Sequence, residues 1–169
     1  MEKKKVLIVD DDSRNIFALV NTLKAKSFEC FSCLSAEEAL KILGNKLKSE
    51  GFVKDSFIQA ILDREDEFST GLPGFGRGIA IPHADPHHVN SSVMAIATLK
   101  NSVQFRMMGN HDELIDVEVM FMLALKESHS HMSVLQNLMD VIQNEGLLTQ
   151  IKEAATPDEL YSLVSAHIA

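Results

Sequence analysis

Apolar and polar positions along the chain predict alternating strands and helices. The run KKVLIVDDD at residues 4–12 is apolar and ends in three acids, which is typical of a buried parallel strand. Apolar or alternating runs at 28–34, 79–81, 93–99 and 117–125 predict four more strands. The last of these is long and apolar enough to lie at the centre of a sheet.

Segments whose apolar residues recur every three or four positions predict helices. They cover residues 13–26, 35–50, 55–64, 130–142 and the chain from 156 onward. Two of them begin with capping boxes, Ser35 with Glu38 and Thr156 with Glu159, whose side chains bond the first unpaired backbone N–H groups. Residues 66–78 contain four glycines and a proline and predict a loop.

This order of elements predicts an α/β fold: a three-layer α/β/α sandwich with a mixed sheet whose amino-terminal half is mainly parallel. The chain has 169 residues, which is enough for a substantial core and few enough for one domain. We therefore expect a single domain over residues 1–169.

Charge and cysteine content narrow the function classes. The formal net charge of -8 at pH 7 disfavours nucleic acid or an anionic membrane surface as the main partner. No apolar run is long enough to span a bilayer, and no signal segment precedes the first predicted strand. Cys30 and Cys33 fall in an alternating strand, where they would point to opposite faces, so we expect free thiols and a cytoplasmic location.

The histidine-rich segment HADPHH offers several side chains of the kind that bind metal. They are His83, Asp85, His87 and His88. Pro82 and Pro86 exclude a regular helix through the segment, so the ligand spacing that a helix would supply is missing. We expect no metal site here, and we expect His87 and His88 to be two solvated loop residues.

His83 has the setting of a reactive side chain. It follows the apolar run IAI and Pro82, so it emerges where a strand leaves the sheet. Pro82 fixes the backbone just before it, and a neutral imidazole in such a place can act as a nucleophile or a base. On these facts alone, an incidental polar residue at a strand end is the simpler interpretation.

Two other residues would change that interpretation if the fold brings them close to His83. Arg64 ends the predicted helix before the glycine-rich loop, and His131 lies in the first turn of the helix after the long strand. Arginine and a helix N-terminus both bind anions. Together with a nucleophilic imidazole they would receive a phosphoryl group, whereas separately they are a solvated helix end and a helix cap.

From about residue 36 to about residue 165, the chain resembles the type 2 enzyme IIA domains of the bacterial sugar phosphotransferase system, the fructose, mannitol and galactitol group. The strongest motif is GIAIPHA at 78–84. Two further motifs, ILDRE at 61–65 and SHSHMSVLQNL at 128–138, support the resemblance because they occur in the family's order and spacing.

The resemblance implies a role for each candidate residue. His83 matches the family's phosphorylated histidine, Arg64 matches its arginine, and His131, in preference to His129, matches its second active-site histidine. The phosphoryl group would come from the carrier HPr and pass to a cysteine of a IIB partner. We expect no metal or organic cofactor and no membrane contact by this chain, and the net charge argues against a nucleic acid partner.

Residues 3–40 resemble a different family. VLIVDDD matches the first strand of a response-regulator receiver domain, in which acids matching Asp10 and Asp11 hold magnesium beside a phospho-accepting aspartate. The segment that would supply that aspartate, FVKDSFIQAIL at 52–62, has a helical pattern with Asp55 as a cap. Asp10 and Asp11 therefore form at most a weak magnesium site, in a receiver-like βαβ unit that continues into the IIA-like portion.

The two resemblances together predict an engineered chimera with one fused core. Three functional classes follow. The chain is a phosphocarrier that uses His83, a fold hybrid without transfer activity, or a receiver-type magnesium-binding module that uses Asp10 and Asp11. The residues favour the first.

Overall fold

The computed structural model describes residues 5–9, 29–74, 76–126 and 131–168. Its first two strands, β1 (Lys5–Val9) and β2 (Glu29–Cys33), fall where the sequence predicted them and pair in parallel. The helix predicted at 13–26, together with Asp10 and Asp11, lies outside the described residues.

The main sheet is mixed. In the described part of the chain its strands are β3 (Gly71–Leu72), β4 (Gly78–Ala80), β5 (Val93–Met107) and β6 (Asn110–Ala124). β6 lies between β4, to which it is parallel, and β5, to which it is antiparallel. The prediction that this strand is central is therefore confirmed.

Two features of the sheet differ from the sequence prediction. β5 and β6 extend far beyond the apolar runs from which they were predicted. Their outer halves are largely polar, but they still pair with each other as a hairpin around the turn at Gly109. β3 falls inside the predicted loop 66–78, since two residues carry too little pattern to be recognised. β3 pairs with both β4 and β5.

Two helices, α1 (Ala36–Ser49) and α2 (Phe57–Glu67), cover one face of the main sheet. The predicted capping box of α1 is present, with Ser35 Oγ accepting a hydrogen bond from the Glu38 N–H at 3.2 Å. α2 begins after Ser56 rather than at Asp55, and it ends three residues later than predicted. The shared core contains Leu40, Leu43, Phe57, Ile61, Ala80, Phe105 and Met120.

The opposite face carries α3 (His131–Gln143), α4 (Glu145–Glu153) and α5 (Pro157–Ile168). The predicted capping box of α5 is present, because Thr156 Oγ1 accepts a hydrogen bond from the Glu159 N–H at 3.2 Å. α4 was not predicted, since it has only nine residues. The second core contains Ile79, Phe121, Leu123, Leu138, Leu148 and Ile151. Helices on both faces of a mixed sheet confirm the α/β class.

β1 and β2 form a two-stranded sheet of their own. Among the described strands their backbone pairing is only with each other, and β1 lies beside β5. The sequence predicted that they would continue the main sheet; β3 instead closes that sheet by joining β4 to β5. None of the described helices is long and apolar enough to cross a membrane.

Candidate functional site

β4 is anchored from both faces of the sheet. Ile79 and Ile81 are buried in the core under α3, α4 and α5, whereas Ala80 and Ala84 are buried in the core under α1 and α2. This alternation follows from the two-residue period of a strand. The short segment that leads to the candidate histidine is therefore fixed against two cores.

A close approach of β4 to β6 requires glycine at the start of β4. A Cβ atom at Gly78 would lie 2.1 Å from the carbonyl oxygen of Asp116 on β6, far inside contact distance. Gly78 lets β4 lie against the central strand, and so fixes the direction in which the chain leaves it.

His83 lies where this pairing ends. Leu123 donates its backbone N–H to the carbonyl of Pro82 at 2.9 Å, and His83 lies opposite Leu123 in parallel register. The side chain of His83 is half-buried. The predicted position of His83, at a strand exit on the edge of the sheet, is confirmed.

The ring of His83 has a defined orientation. Its Nδ1 lies 3.0 Å from the carbonyl oxygen of Ile81. A carbonyl oxygen can only accept a hydrogen bond, so Nδ1 carries the proton and donates it. In the neutral imidazole, Nε2 is then the nitrogen that holds the lone pair.

Arg64 reaches the loop that follows His83. Its Nη1 is 3.5 Å from Oδ1 of Asp85, which lies two residues after His83. Its Cζ lies 5.7 Å from the centre of the exposed Phe68 ring. Nε of Arg64 is buried and has no hydrogen-bond partner among the described residues. An unpaired buried donor costs about 1–3 kcal/mol, so an acceptor supplied by a ligand would remove that cost.

Glu65 fixes the chain directly after Arg64. Its carboxylate accepts hydrogen bonds from the backbone N–H of Thr70 at 3.0 Å and from Thr70 Oγ1 at 2.6 Å. Burial raises the pKa of Glu65, and the Thr70 hydrogen bonds and nearby His111 oppose that rise. The sequence pointed to Glu65 only as part of the ILDRE motif; its bonds show that it closes the turn after α2.

Replacing Glu65 by glutamine is expected to change how stability depends on pH. A carboxyl whose pKa is higher in the folded state binds protons more strongly there, so it stabilises the fold at low pH. That contribution declines as the pH rises from the unfolded pKa through the folded one. The free energy of unfolding of Glu65→Gln, relative to wild type, should therefore increase as the pH rises above about 4, the ordinary range of a glutamate pKa.

Urea unfolding at a series of pH values measures this difference. Glu67→Gln, which removes an exposed carboxylate from the same helix, is the matched control for loss of charge. A difference for Glu65→Gln that stays constant or falls over this range would contradict the burial argument.

His131 is placed by its helix. α3 begins at His131, seven residues after β6 ends at Ala124. Because β4 and β6 are parallel, the chain leaves both strands at the same edge of the sheet. Only the backbone of 131–133 is described, and His129 lies outside the described residues. The helix start agrees with the prediction, while the role of the His131 side chain stays a prediction.

The other two histidines of the segment differ from each other. They belong to a short 3₁₀ helix, Pro86–His88, in which His87 is exposed as predicted. His88 is partly exposed, and its Nδ1 lies 2.8 Å from Ser56 Oγ, a contact that the sequence did not predict. Burial lowers the pKa of His88, and His87 adds to that effect. In the described residues, no group of three or more His, Cys, Asp or Glu side chains is arranged to hold a metal ion.

A cavity of about 660 Å³ lies elsewhere, between α1, α2 and the outer half of β5. Its lining includes Glu37, Lys41, Asp63 and Arg106 but not Arg64, His83 or Asp85. This cavity is therefore separate from the candidate site around His83.

A comparison with models of known protein families identifies the family of this chain. Residues 22–167 match the model described as Phosphoenolpyruvate-dependent sugar phosphotransferase system, EIIA 2. The chain belongs to this family. The resemblance drawn from GIAIPHA and its companion motifs is confirmed at this level.

Relatives of this EIIA chain are similar over most of its length. The galactitol-specific EIIA component of Escherichia coli K12 is 29% identical over 133 residues, which cover 74% of this chain and 88% of the relative. The solution structure of the mannitol-specific cryptic enzyme IIA CmtB from E. coli has a TM-score of 0.63 at 24% identity, covering 78% of this chain and 86% of CmtB. A complex of E. coli enzyme IIAMtl with phosphorylated enzyme IIBMtl matches with a TM-score of 0.60 at 20% identity, over 78% of this chain and 88% of the matched chain.

The EIIA match begins earlier than predicted. It starts at residue 22, whereas the sequence placed the start of the IIA-like portion at about residue 36. The family therefore accounts for β2 and α1 together, and half of the segment compared with receivers falls within it.

Proposed function

We propose that this EIIA chain carries a phosphoryl group on His83 in the cytoplasm, taking it from the phosphohistidine of HPr and giving it to a cysteine of a IIB partner. The observation that carries the proposal is the hydrogen bond from His83 Nδ1 to the Ile81 carbonyl. It leaves Nε2 as the nitrogen with the lone pair, at a half-buried strand exit. The related IIAMtl structure, which contains phosphorylated IIBMtl, supports the identity of the acceptor.

The two transfer steps need no cofactor, because each bond that forms to phosphorus is matched by one that breaks. The lone pair of Nε2 attacks the phosphorus, the N–P bond of the donor histidine breaks, and the donor nitrogen keeps the electron pair. A cysteine thiolate of the acceptor then attacks the same phosphorus, and Nε2 recovers its pair. Such transfers depend on positioning and on charges fixed around the phosphoryl oxygens.

Arg64 and His131 would supply those charges and contacts. Arg64 has a buried Nε–H without a partner among the described residues, and its guanidinium already contacts the loop of His83. The first backbone N–H groups of a helix have no partner within the helix and favour an anion, so the start of α3 would contribute such groups, with His131 as an orienting side chain. The site should bind the phosphoryl group only moderately, because a tightly held group would not be passed on.

A chimeric origin would rest on residues 3–21 alone, because the family match covers the chain from residue 22. A receiver-type magnesium-binding module that uses Asp10 and Asp11 is the functional alternative that this segment would support. In that case a small acyl phosphate donor, such as acetyl phosphate, would label an aspartate of the chain without HPr.

Labelling separates these functions. The purified chain is incubated with ³²P-phosphoenolpyruvate, enzyme I and HPr, and then with a type 2 IIB domain. We expect HPr-dependent, acid-labile label that IIB removes. A folded chain that takes up no label would favour the inactive hybrid, and acetyl phosphate labelling of an aspartate would favour the receiver-type module.

A further inference from the structure

We propose that Asp85 is a positioning residue: it pairs with Arg64 before phosphorylation and competes with the phosphoryl group for Arg64 afterwards. This rests on the proposed function of His83. The sequence suggested Asp85 only as a metal ligand within HADPHH. The structure instead places its carboxylate against the arginine of the site.

Asp85 is close to His83 along the chain. It lies two residues after His83, a separation of at most about 7 Å along the backbone. It is exposed, and it directly precedes the short helix Pro86–His88. Because Ala84 is buried in the core, the loop that holds His83 and Asp85 is anchored between them.

The ion pair between Arg64 and Asp85 is loose. The distance from Nη1 to Oδ1 is 3.5 Å, longer than the 2.7–2.9 Å or so of a strong charge-assisted hydrogen bond. Nε–H of the same guanidinium is buried without a partner in the described part of the chain. The guanidinium of Arg64 is therefore held at the loop that contains His83, and its Nε–H makes no hydrogen bond to the described residues.

A phosphoryl dianion on His83 changes this balance. It would offer Arg64 a more highly charged acceptor, and it would repel the nearby carboxylate of Asp85. Asp85 thus destabilises the phosphorylated state relative to the unphosphorylated one, which keeps the group transferable. Only ion pairs are exchanged; no bond to Asp85 forms or breaks.

Replacing Asp85 by asparagine tests the competition. The phosphorylated fraction is measured at a series of fixed ratios of phospho-HPr to HPr, which gives the equilibrium constant for phosphorylation of the chain. Loss of an exposed ion pair predicts an increase of about fivefold in Asp85→Asn. Asp85→Glu, which keeps the charge, should return the constant to near the wild-type value.

Asp66→Asn is the matched control. Asp66 also forms an exposed ion pair with an arginine, at 3.2 Å from Arg106, away from His83. Its replacement should leave the equilibrium constant unchanged. In an Arg64→Ala background, Asp85→Asn should raise the constant by much less than fivefold, because only the direct repulsion between the carboxylate and the phosphoryl group is then removed.

Two results separate this inference from the proposed function. If His83 takes up label but Asp85→Asn leaves the constant unchanged or lowers it, the role of Asp85 is wrong and the phosphocarrier stands. If the wild type takes up no label, the phosphocarrier is wrong and inorganic phosphate is titrated instead, with the Arg64 Nε–H resonance as the probe. Severalfold tighter phosphate binding in Asp85→Asn would then support the competition, and equal binding would overturn it.

Discussion

Replacing His83 by alanine is expected to abolish phosphoryl labelling from HPr and leave the fold intact. The substitution removes Nε2, the nitrogen proposed to accept the phosphoryl group. It also removes the half-buried hydrogen bond to the carbonyl of Ile81. A bond of this kind contributes about 0.5–1.5 kcal/mol, much less than the stability of a typical domain. Labelling and circular dichroism, measured on the same preparation, test both expectations.

His87→Ala is the matched control for this result. His87 is exposed, lies in the same loop, and is four residues away from His83. Its replacement should preserve wild-type labelling. Undiminished label in His83→Ala, or equal loss in both variants, would contradict the assignment of His83.

Replacing Arg64 by lysine is expected to lower the rate of transfer from phospho-HPr by about 10²-fold. Lysine keeps the positive charge but loses the planar fork and the Nε–H, which is the buried donor without a partner among the described residues. The position at the end of α2 tolerates lysine as a helix former, so the change should act on transfer rather than on folding. Rapid-quench kinetics with phospho-HPr as the varied substrate gives kcat/KM.

Arg106→Lys controls for the chemical change. Arg106 is an exposed arginine with its own aspartate partner, and it lies on β5 away from the strand exit. Its variant should transfer at the wild-type rate. Equal kcat/KM for Arg64→Lys and wild type would show that Arg64 acts only as a helix end.

Local signals in the sequence predicted most of the fold. The two capping boxes mark the starts of α1 and α5, and the apolar run 117–125 marks the central strand. The outer hairpin of β5 and β6 could not be predicted in the same way, because its residues are largely exposed and polar. Its strands are fixed by backbone pairing with each other, which leaves no apolar pattern.

The sequence was enough to predict which residues form the candidate site, but not which contacts they make. The strand exit at His83 and the helix end at Arg64 follow from local patterns. The pairing of Arg64 with Asp85 joins residues 21 positions apart across two layers, and no periodicity reports such a contact. The tautomer of His83 is likewise set by a local backbone carbonyl whose direction only coordinates supply.

The amino-terminal segment shows why a hydrophobic pattern alone cannot identify a protein family. The run FECFSCLSAEEAL predicts a strand followed by a capped helix, and either family could supply such a junction. The structure has β2 followed by α1 there, and the EIIA match extends through both. Hydrophobic periodicity predicted the elements correctly, but it could not decide to which family they belong.

The most direct test of the central claim is an NMR measurement on the phosphorylated chain with ¹⁵N-labelled histidine. Coupling between phosphorus and the ring nitrogens identifies the modified atom. Our account predicts phosphorus on Nε2 of His83, with Nδ1 still protonated and bonded to the Ile81 carbonyl. Phosphorus on Nδ1 of His83, or on any other residue, would contradict it.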